Sequence, residues 1–239
     1  MRTFWITRPR QSGLKTQAKL ERLGYGALVD PVIDIEEKPI TAIDKPYQGI
    51  ILTSQNAVFA LKDLQSPTPI FTVGDETASE VIGQFPMHPV QSAGGTSDDL
   101  IKLIQKTGDP KGLPFLYLRG VDIHRTLKAD LDTMGYKLDE AIVYEAQEQS
   151  IHPDNFQKVQ GILVYSARTA QVLSDLINAY SLQDTLGNTD IFCISHGTSK
   201  PLLSYNWKGV HVPHHPTEEQ LIQLIKDRYD RQFKLQERA

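Results

Sequence analysis

Apolar residues along this chain fall into two kinds of run. Short unbroken runs, rich in Ile, Val, Leu and Phe and bounded by Gly, Pro or Ser, occur at Phe4–Thr7, Ala27–Asp30, Gly49–Thr53, Ile70–Val73 and Met87–Val90. A second set follows at Phe115–Leu118, Leu138–Val143, Gly161–Tyr165, Ile191–Ile194 and Val210–Val212. Such runs predict strands buried on both faces, as in a parallel sheet. Between them the spacing becomes helical. Ile123, Leu127 and Leu131 recur at i, i+4 and i+8 ahead of Gly135, and Leu14, Ala18, Leu20 and Leu23 do so less cleanly ahead of Gly24. A glycine just past the last periodic residue is a helix stop. Val58, Leu61 and Leu64 have counterparts in Val172, Leu173, Leu176 and Ile177. Thr217 and Gln220 have capping-box spacing ahead of Leu221, Ile222, Leu224 and Ile225. Strand–helix alternation in both halves predicts two doubly wound α/β domains.

The halves also echo each other. Tyr47-Gln48-Gly49-Ile50-Ile51-Leu52-Thr53-Ser54 returns as Val159-Gln160-Gly161-Ile162-Leu163-Val164-Tyr165-Ser166, an offset of 112 from Gly49 to Gly161. Phe4–Arg8 is echoed by Phe115–Arg119, and Gly24-Tyr25 by Gly135-Tyr136, both at an offset of 111. Thr96–Ile104 is echoed by Thr217–Ile225, at 121. Near-constant offsets mean two similar modules, and two modules imply a cleft where a ligand should be sought. Pro31–Pro46 and the polar stretch Glu145–Pro153 read as connectors, and the charged segment Lys226–Ala239 as a helix end fraying into solvent.

Composition narrows the setting. A chain of 239 residues has room for two domains of ordinary size. Its 40% hydrophobic content and mean hydropathy of −0.32 suit a soluble globular protein. No apolar run approaches the roughly 18 residues that span a bilayer. The start, Met1-Arg2-Thr3-Phe4-Trp5-Ile6-Thr7, lacks the apolar core of a signal peptide. The lone Cys193 cannot form an internal disulfide, so a cytoplasmic setting is expected. A net charge of −4 argues against a broad nucleic-acid surface but allows a local basic site. The chain has no dinucleotide G-x-G-x-x-G, no P-loop, no G-x-S-x-G elbow and no C-x-x-C zinc motif. His211, His214 and His215 lack partners spaced to complete a metal site and read as strand-end or surface histidines.

Ligands of a parallel α/β sheet collect beyond the carboxyl ends of its strands. That rule selects Arg8-Pro9, Ser54-Gln55-Asn56, Gly74-Asp75-Glu76-Thr77, Arg119-Gly120, Ser166-Ala167-Arg168 and Ser195-His196-Gly197-Thr198. Each offers a hydroxyl, free N–H groups or a guanidinium at a helix start, where anions are favoured. Taken singly, Ser54, Thr77, Ser166 and Thr198 also read as plain helix caps. Tyr144, at a module boundary, reads equally as a packed or a site tyrosine.

Together these motifs resemble the uroporphyrinogen-III synthase family, over essentially the whole chain to about residue 226. They are Ile6-Thr7-Arg8-Pro9, Ile51–Val58, Val73-Gly74-Asp75-Glu76-Thr77-Ala78, Leu116-Tyr117-Leu118-Arg119-Gly120, Val143-Tyr144 and the Ser166 and Ser195–Thr198 loops. The resemblance implies two flavodoxin-like domains with swapped connectivity and a two-stranded linker. Residues 1–36 and 149–239 would form one, and 38–146 the other. It implies cofactor-free closure of the linear tetrapyrrole hydroxymethylbilane to uroporphyrinogen III, with inversion of ring D and loss of water, in an interdomain cleft. Tyr144 would be the proton donor to the leaving hydroxyl. Arg8, Ser54, Asn56, Gly74, Thr77, Arg119, Ser166, Ala167, Arg168, Ser195, Gly197 and Thr198 would bind substrate. Ser195 and Ser199 stand where the family usually has Gly and Ala. A monomer, with transient contact to hydroxymethylbilane synthase, fits the resemblance. The alternative from another class is a two-domain sensor that binds a small anion without consuming it.

Overall fold

The computed structural model describes residues 1–40, 45–64, 67–122 and 126–236. Along these the order is β1 (Thr3–Ile6), α1 (Arg10–Arg22), β2 (Gly26–Val29), β3 (Ile33–Glu37), β4 (Gly49–Leu52), a 3₁₀ helix (Gln55–Asp63), β5 (Ile70–Thr72), α2 (Asp75–Gln84) and β6 (Val90–Ser92). Then come α3 (Ser97–Thr107), β7 (Phe115–Gly120), α4 (Leu127–Thr133), β8 (Leu138–Glu148), α5 (Asn155–Lys158), β9 (Gly161–Val164), α6 (Ala167–Ala179) and a 3₁₀ helix (Gln183–Asn188). The chain ends with β10 (Asp190–Cys193), α7 (His196–Ser199) leading into a 3₁₀ turn (Lys200–Leu202), β11 (Gly209–His211) and α8 (Glu218–Gln236). Ile123, expected on a helix face, lies outside the described residues.

The chain forms two compact units, Met1–Asp34 with Gln147–Ala239, and Ile35–Ala146. The first holds a five-stranded sheet in the order β11-β10-β9-β1-β2. Counted within that unit this is 2-1-3-4-5, the flavodoxin-like order. The second holds a six-stranded sheet in the order β3-β8-β7-β4-β5-β6. Apart from β3 and β8, the neighbouring strands pair in parallel; the β3 segment runs antiparallel to β8, with Lys38 N donating to Val143 O at 2.8 Å and Gln149 N to Val32 O at 3.0 Å. The continuous apolar strands are explained by burial on both faces. In the second unit Ile50 and Leu52 pack with Val58, Leu61 and Val81 on one side. Ile51 and Phe71 pack with Leu100, Ile101, Ile104 and Leu131 on the other. In the first unit Phe4 meets Tyr25, Phe192 and Tyr229 edge-on at ring distances of 5.3, 6.1 and 5.4 Å.

The echo between the halves has a structural counterpart. Gly24 and Gly135 both take left-handed backbone, with φ of 80° and 84°. After α1, Gly24 N donates to Glu21 O and Tyr25 N to Leu20 O. After α4, Gly135 N donates to Asp132 O and Tyr136 N to Leu131 O. Both are Schellman ends, and each following tyrosine packs into its core near the helix leucine it bonds.

Several elements differ from the sequence expectation. Helix α1 buries Gly13, Thr16 and Leu20, while Leu14 and Leu23 are exposed. The face that packs is chosen by closeness: a Cβ on Gly13 would stand 2.8 Å from Val29 Cγ1. Strand β6 lies past Met87, which is exposed; the strand itself is the half-buried Val-Gln-Ser of a sheet edge. The stretch taken as a connector from Pro31 contains β3, and β8 continues through Glu148 rather than stopping at Val143. The charged C-terminal segment does not begin as a frayed end. Tyr229 is buried, and its hydroxyl donates to Asp190 Oδ2 at 2.7 Å. Asp190 is fully buried, with His211 Nε2 at 2.8 Å and Arg228 Nη2 at 3.3 Å from its Oδ1. Burial alone would raise this carboxyl; the His211, Tyr229 and Arg228 contacts outweigh it and hold it below the usual carboxylate range.

Two outcomes follow. A Cβ at Gly24 would touch nothing within 4 Å, so Gly24→Ala carries a backbone cost alone. It should lower the unfolding free energy by about 1–2 kcal/mol in urea denaturation; an unshifted midpoint would show that the turn does not need a left-handed residue. Because Asp190 is depressed, its stabilisation is complete above its unfolded value of about 3.9 and is lost as pH falls through its lower folded value. Stability should therefore decline below about pH 4, and less steeply in Asp190→Asn. Equal slopes in the two proteins would remove Asp190 as a source of the decline.

Candidate functional site

In each sheet the strand order reverses at one place, and the crevice beyond the carboxyl ends there is the place for a ligand. In the first unit this lies between β1 and β9. Arg8 follows β1 and its guanidinium stacks 4.3 Å above the Tyr165 ring, at the end of β9. Arg8 Nη1 also lies 3.2 Å from Glu218 Oε1 and 3.5 Å from Thr16 Oγ1. Lys19 and the hydroxyls of Thr16 and Tyr165 donate to the same carboxylate. Burial alone would raise Glu218; the bonds from Lys19 and Thr16 and the charges of Lys19 and Arg8 hold it low instead. Burial and the Glu218 charge push the Tyr165 phenol up, so it remains protonated. Arg8 is thus charge-balanced inside its own unit.

Beside it, Ser166 caps α6 by accepting from Thr169 N at 3.0 Å, and Ala167 and Arg168 are exposed on the first turn. After β10, Ser195 accepts from Thr198 N at 3.2 Å and lies 3.0 Å from the Thr198 hydroxyl. The departure from glycine at Ser195 therefore adds a side-chain cap. Gly74 at the start of α2 has none. Gly197 is exposed, whereas Thr198 is buried.

In the second unit the order of β4 to β8 reverses between β4 and β7. Ser54 ends the β4 loop and accepts from Asn56 N at 3.2 Å, capping the 3₁₀ helix. Arg119, near the end of β7, is pinned: its Nη1 donates to Gly120 O at 2.9 Å, and its Nε lies 3.2 Å from Glu140 Oε1. Tyr144, on β8, packs partly buried against the core that includes Leu118 and Val143. Among the described residues its hydroxyl makes no hydrogen bond. Tyr117 lies in the same region, with its hydroxyl 2.9 Å from Thr53 Oγ1. Burial raises the Tyr117 phenol, so it too is neutral at ordinary pH. Gly74 and Thr77 open α2, with Thr77 buried.

The helix starts are not equivalent toward anions. The first turns of α1, α6, α7 and the Gln55–Asp63 helix carry no acidic side chain. That of α2 carries Asp75 and Glu76. Their charges oppose a carboxylate that the free N–H groups would otherwise attract. Each unit thus gathers its own loops. In the first, Arg8, Ser166–Arg168 and Ser195–Thr198 follow the neighbouring strands β1, β9 and β10; in the second, Ser54 and Asn56 follow β4 beside β7, which carries Arg119, and Tyr144 lies on the next strand, β8.

Thr16, Lys19, Tyr165 and Glu218 in one unit, and Thr53, Tyr117 and Glu140 in the other, join these loops without being among the residues expected from the sequence. A signal was present for two of them. Thr53 and Tyr165 occupy the same position in the repeat, immediately before the capping serines Ser54 and Ser166. Among the described residues no group of three or more His, Cys, Asp or Glu is placed to hold a metal, and no helix is long and apolar enough to cross a membrane.

Comparison with known proteins is consistent across sequence and fold. A uroporphyrinogen-III synthase from Chlorobaculum parvum is 26% identical over 209 residues, spanning 78% of this chain and 83% of that protein. The crystal structure of uroporphyrinogen-III synthetase from Helicobacter pylori 26695 superposes with a TM-score of 0.61 at 18% identity, covering 95% of this chain and 99% of that one. The family model described as uroporphyrinogen-III synthase HemD matches residues 15–223. With both strand-end loop sets inside or bordering that span, the chain belongs to the uroporphyrinogen-III synthase family.

Proposed function

We propose that this protein closes hydroxymethylbilane to uroporphyrinogen III, inverting ring D and releasing water. The observation that carries the reading is the family match across residues 15–223. The site chemistry is compatible with it. The substrate bears acetate and propionate carboxylates on every pyrrole. We assign these first to the acid-free starts of α6, α7 and the Gln55–Asp63 helix, where Ser166, Ala167, Arg168, Ser195, Gly197, Ser54 and Asn56 stand. The start of α2, with Asp75 and Glu76, is the poorer carboxylate site, so Gly74 and Thr77 rank behind the others. Arg8 and Arg119 already face Glu218 and Glu140 and would act by exchanging partners.

The carbon skeleton supplies its own activation. A pyrrole nitrogen lone pair expels the hydroxyl, leaving a cationic azafulvene; the hydroxyl needs one proton to depart as water. Tyr144 is our candidate donor, its phenol unbonded among the described residues. Ring D then attacks through its substituted carbon to form a spiro intermediate, which reopens and closes with the ring inverted. The protein's task is to hold the chain so that this carbon is presented and direct closure is blocked, which is catalysis by positioning with modest acid help. In the same reading the two units are domains of swapped connectivity, and β3 and β8 are their linker. The chain works as a cytoplasmic monomer that takes the bilane from hydroxymethylbilane synthase.

A coupled assay tests the function. With hydroxymethylbilane generated in situ and products oxidised and separated, type III uroporphyrin should exceed the spontaneous type I background. Type I alone, from folded protein, would leave an anion-binding sensor as the better reading. Tyr144→Phe should lower kcat roughly 100-fold, the low end of a general-acid contribution, while moving stability by no more than about 0.5 kcal/mol. Full turnover in that variant would remove Tyr144 as the acid.

A further inference from the structure

The β7–β8 ladder carries an irregularity at the candidate acid. Leu118 pairs with Ala141 and Arg119 with Ile142, but Gly120 pairs with Tyr144, so Val143 has no partner on β7. This is a β-bulge, with one extra residue on β8. Its effect can be read from the side chains. In a regular strand Ala141 and Val143 would face the core while Ile142 and Tyr144 faced away. Ala141 and Val143 do face it, and Ile142 is exposed, yet Tyr144 packs on the same core as Val143. The bulge has therefore turned Tyr144 back toward the sheet. Val121 N fixes the new register by donating to Tyr144 O at 3.0 Å, and on the other edge of β8 Lys38 N donates to Val143 O at 2.8 Å.

The ring then lies against Gly120. A Cβ placed there would stand 2.7 Å from both Cε2 and Cζ of Tyr144 and 3.0 Å from its hydroxyl oxygen. Gly120 is not among the positive-φ residues, so its backbone does not require glycine. What requires it is the phenol beside it. The atoms met are the far end of a side chain that can rotate, so an added methyl would displace the ring rather than the strand.

We infer that Gly120, with the bulge at Arg119/Gly120, is a positioning residue that sets the Tyr144 hydroxyl for proton donation. The inference rests on the proposed role of Tyr144 as acid. It explains why an Arg-Gly pair ends β7: Arg119 closes onto the carbonyls of Gly120 and Val121, at 2.9 and 3.3 Å, and Gly120 leaves the space the ring fills.

The test is a cycle of Gly120→Ala and Tyr144→Phe, read as kcat, KM and melting temperature in the coupled assay. Gly120→Ala should lower kcat roughly 10- to 100-fold, the scale of a misplacement of about 1 Å, with KM changed by less than about threefold. In the Tyr144→Phe background the same change should cost less than about twofold in kcat, because no hydroxyl remains to misplace. Undiminished kcat in Gly120→Ala, or an equal loss in both backgrounds, would overturn the inference. If Tyr144→Phe is impaired and Gly120→Ala is not, only the positioning role falls; if Tyr144→Phe turns over fully, the acid assignment falls and takes this inference with it. Should Gly120→Ala fold poorly, Gly120→Ala/Tyr144→Ala decides. Recovery of its melting temperature identifies the ring as the obstacle, and failure to recover shows that the methyl meets something else.

Discussion

The constraint on which the rest depends is the parallel pairing of the strands. A parallel sheet needs cover on both faces, which forces a crossover between successive strands and makes each enclosed strand apolar throughout. It also puts the carboxyl ends of the strands so paired on one edge. In each unit the loops after the strands therefore arrive together without any local sequence signal to bring them. Arg8 and Tyr165 are 157 residues apart in number yet stack at 4.3 Å. Thr53 and Tyr117 meet at 2.9 Å across 64 residues because β4 and β7 are neighbours at the reversal of strand order.

The repeat shows which local features this architecture demands. Both Schellman ends use a left-handed glycine followed by a buried tyrosine, and both return the chain into the next strand. The strand-end serines recur for a similar reason: a helix beginning directly after a strand has unpaired N–H groups, and a side-chain oxygen at Ser54, Ser166 or Ser195 satisfies one of them. Capping and ligand binding draw on the same N–H groups. A capped helix keeps others unpaired, so the capping role of these serines is compatible with a carboxylate at the same turn.

What was legible in the sequence tracks what burial imposes. Central strands such as β1, β4, β7, β9 and β10 are enclosed on both sides and so declare themselves as apolar runs. Edge strands do not. Val90-Gln91-Ser92 and Gly209-Val210-His211 are only partly covered, and the first was sought three residues too early. The α1 face was misjudged because leucine spacing marks hydrophobic residues, whereas the sheet admits only a small one at Gly13. The family was legible through short ordered motifs, and so were the loops. Partners within the loops were not. That Arg8 faces Glu218, 210 residues away, and Arg119 faces Glu140 depends on tertiary geometry that carries no spacing rule.

In the proposed binding role of those two arginines, their glutamate partners bear on how the chemistry is shared between substrate and protein. An unpaired guanidinium at each strand end would bind carboxylates tightly, but it would bind any polyanionic tetrapyrrole, the cyclic product included, equally well. Uniform binding of that kind lowers KM without accelerating the reaction. An arginine already balanced by a neighbouring glutamate contributes less net attraction and more direction, because a carboxylate gains only by matching the fork it displaces. The N–H groups of helix starts act similarly, as fixed donors that reward one placement. A reaction whose substrate supplies its own activation gains most from such placement. With Tyr144 as the proposed acid, the bulge that turns it against the bare Gly120 backbone applies the same strategy to a single proton.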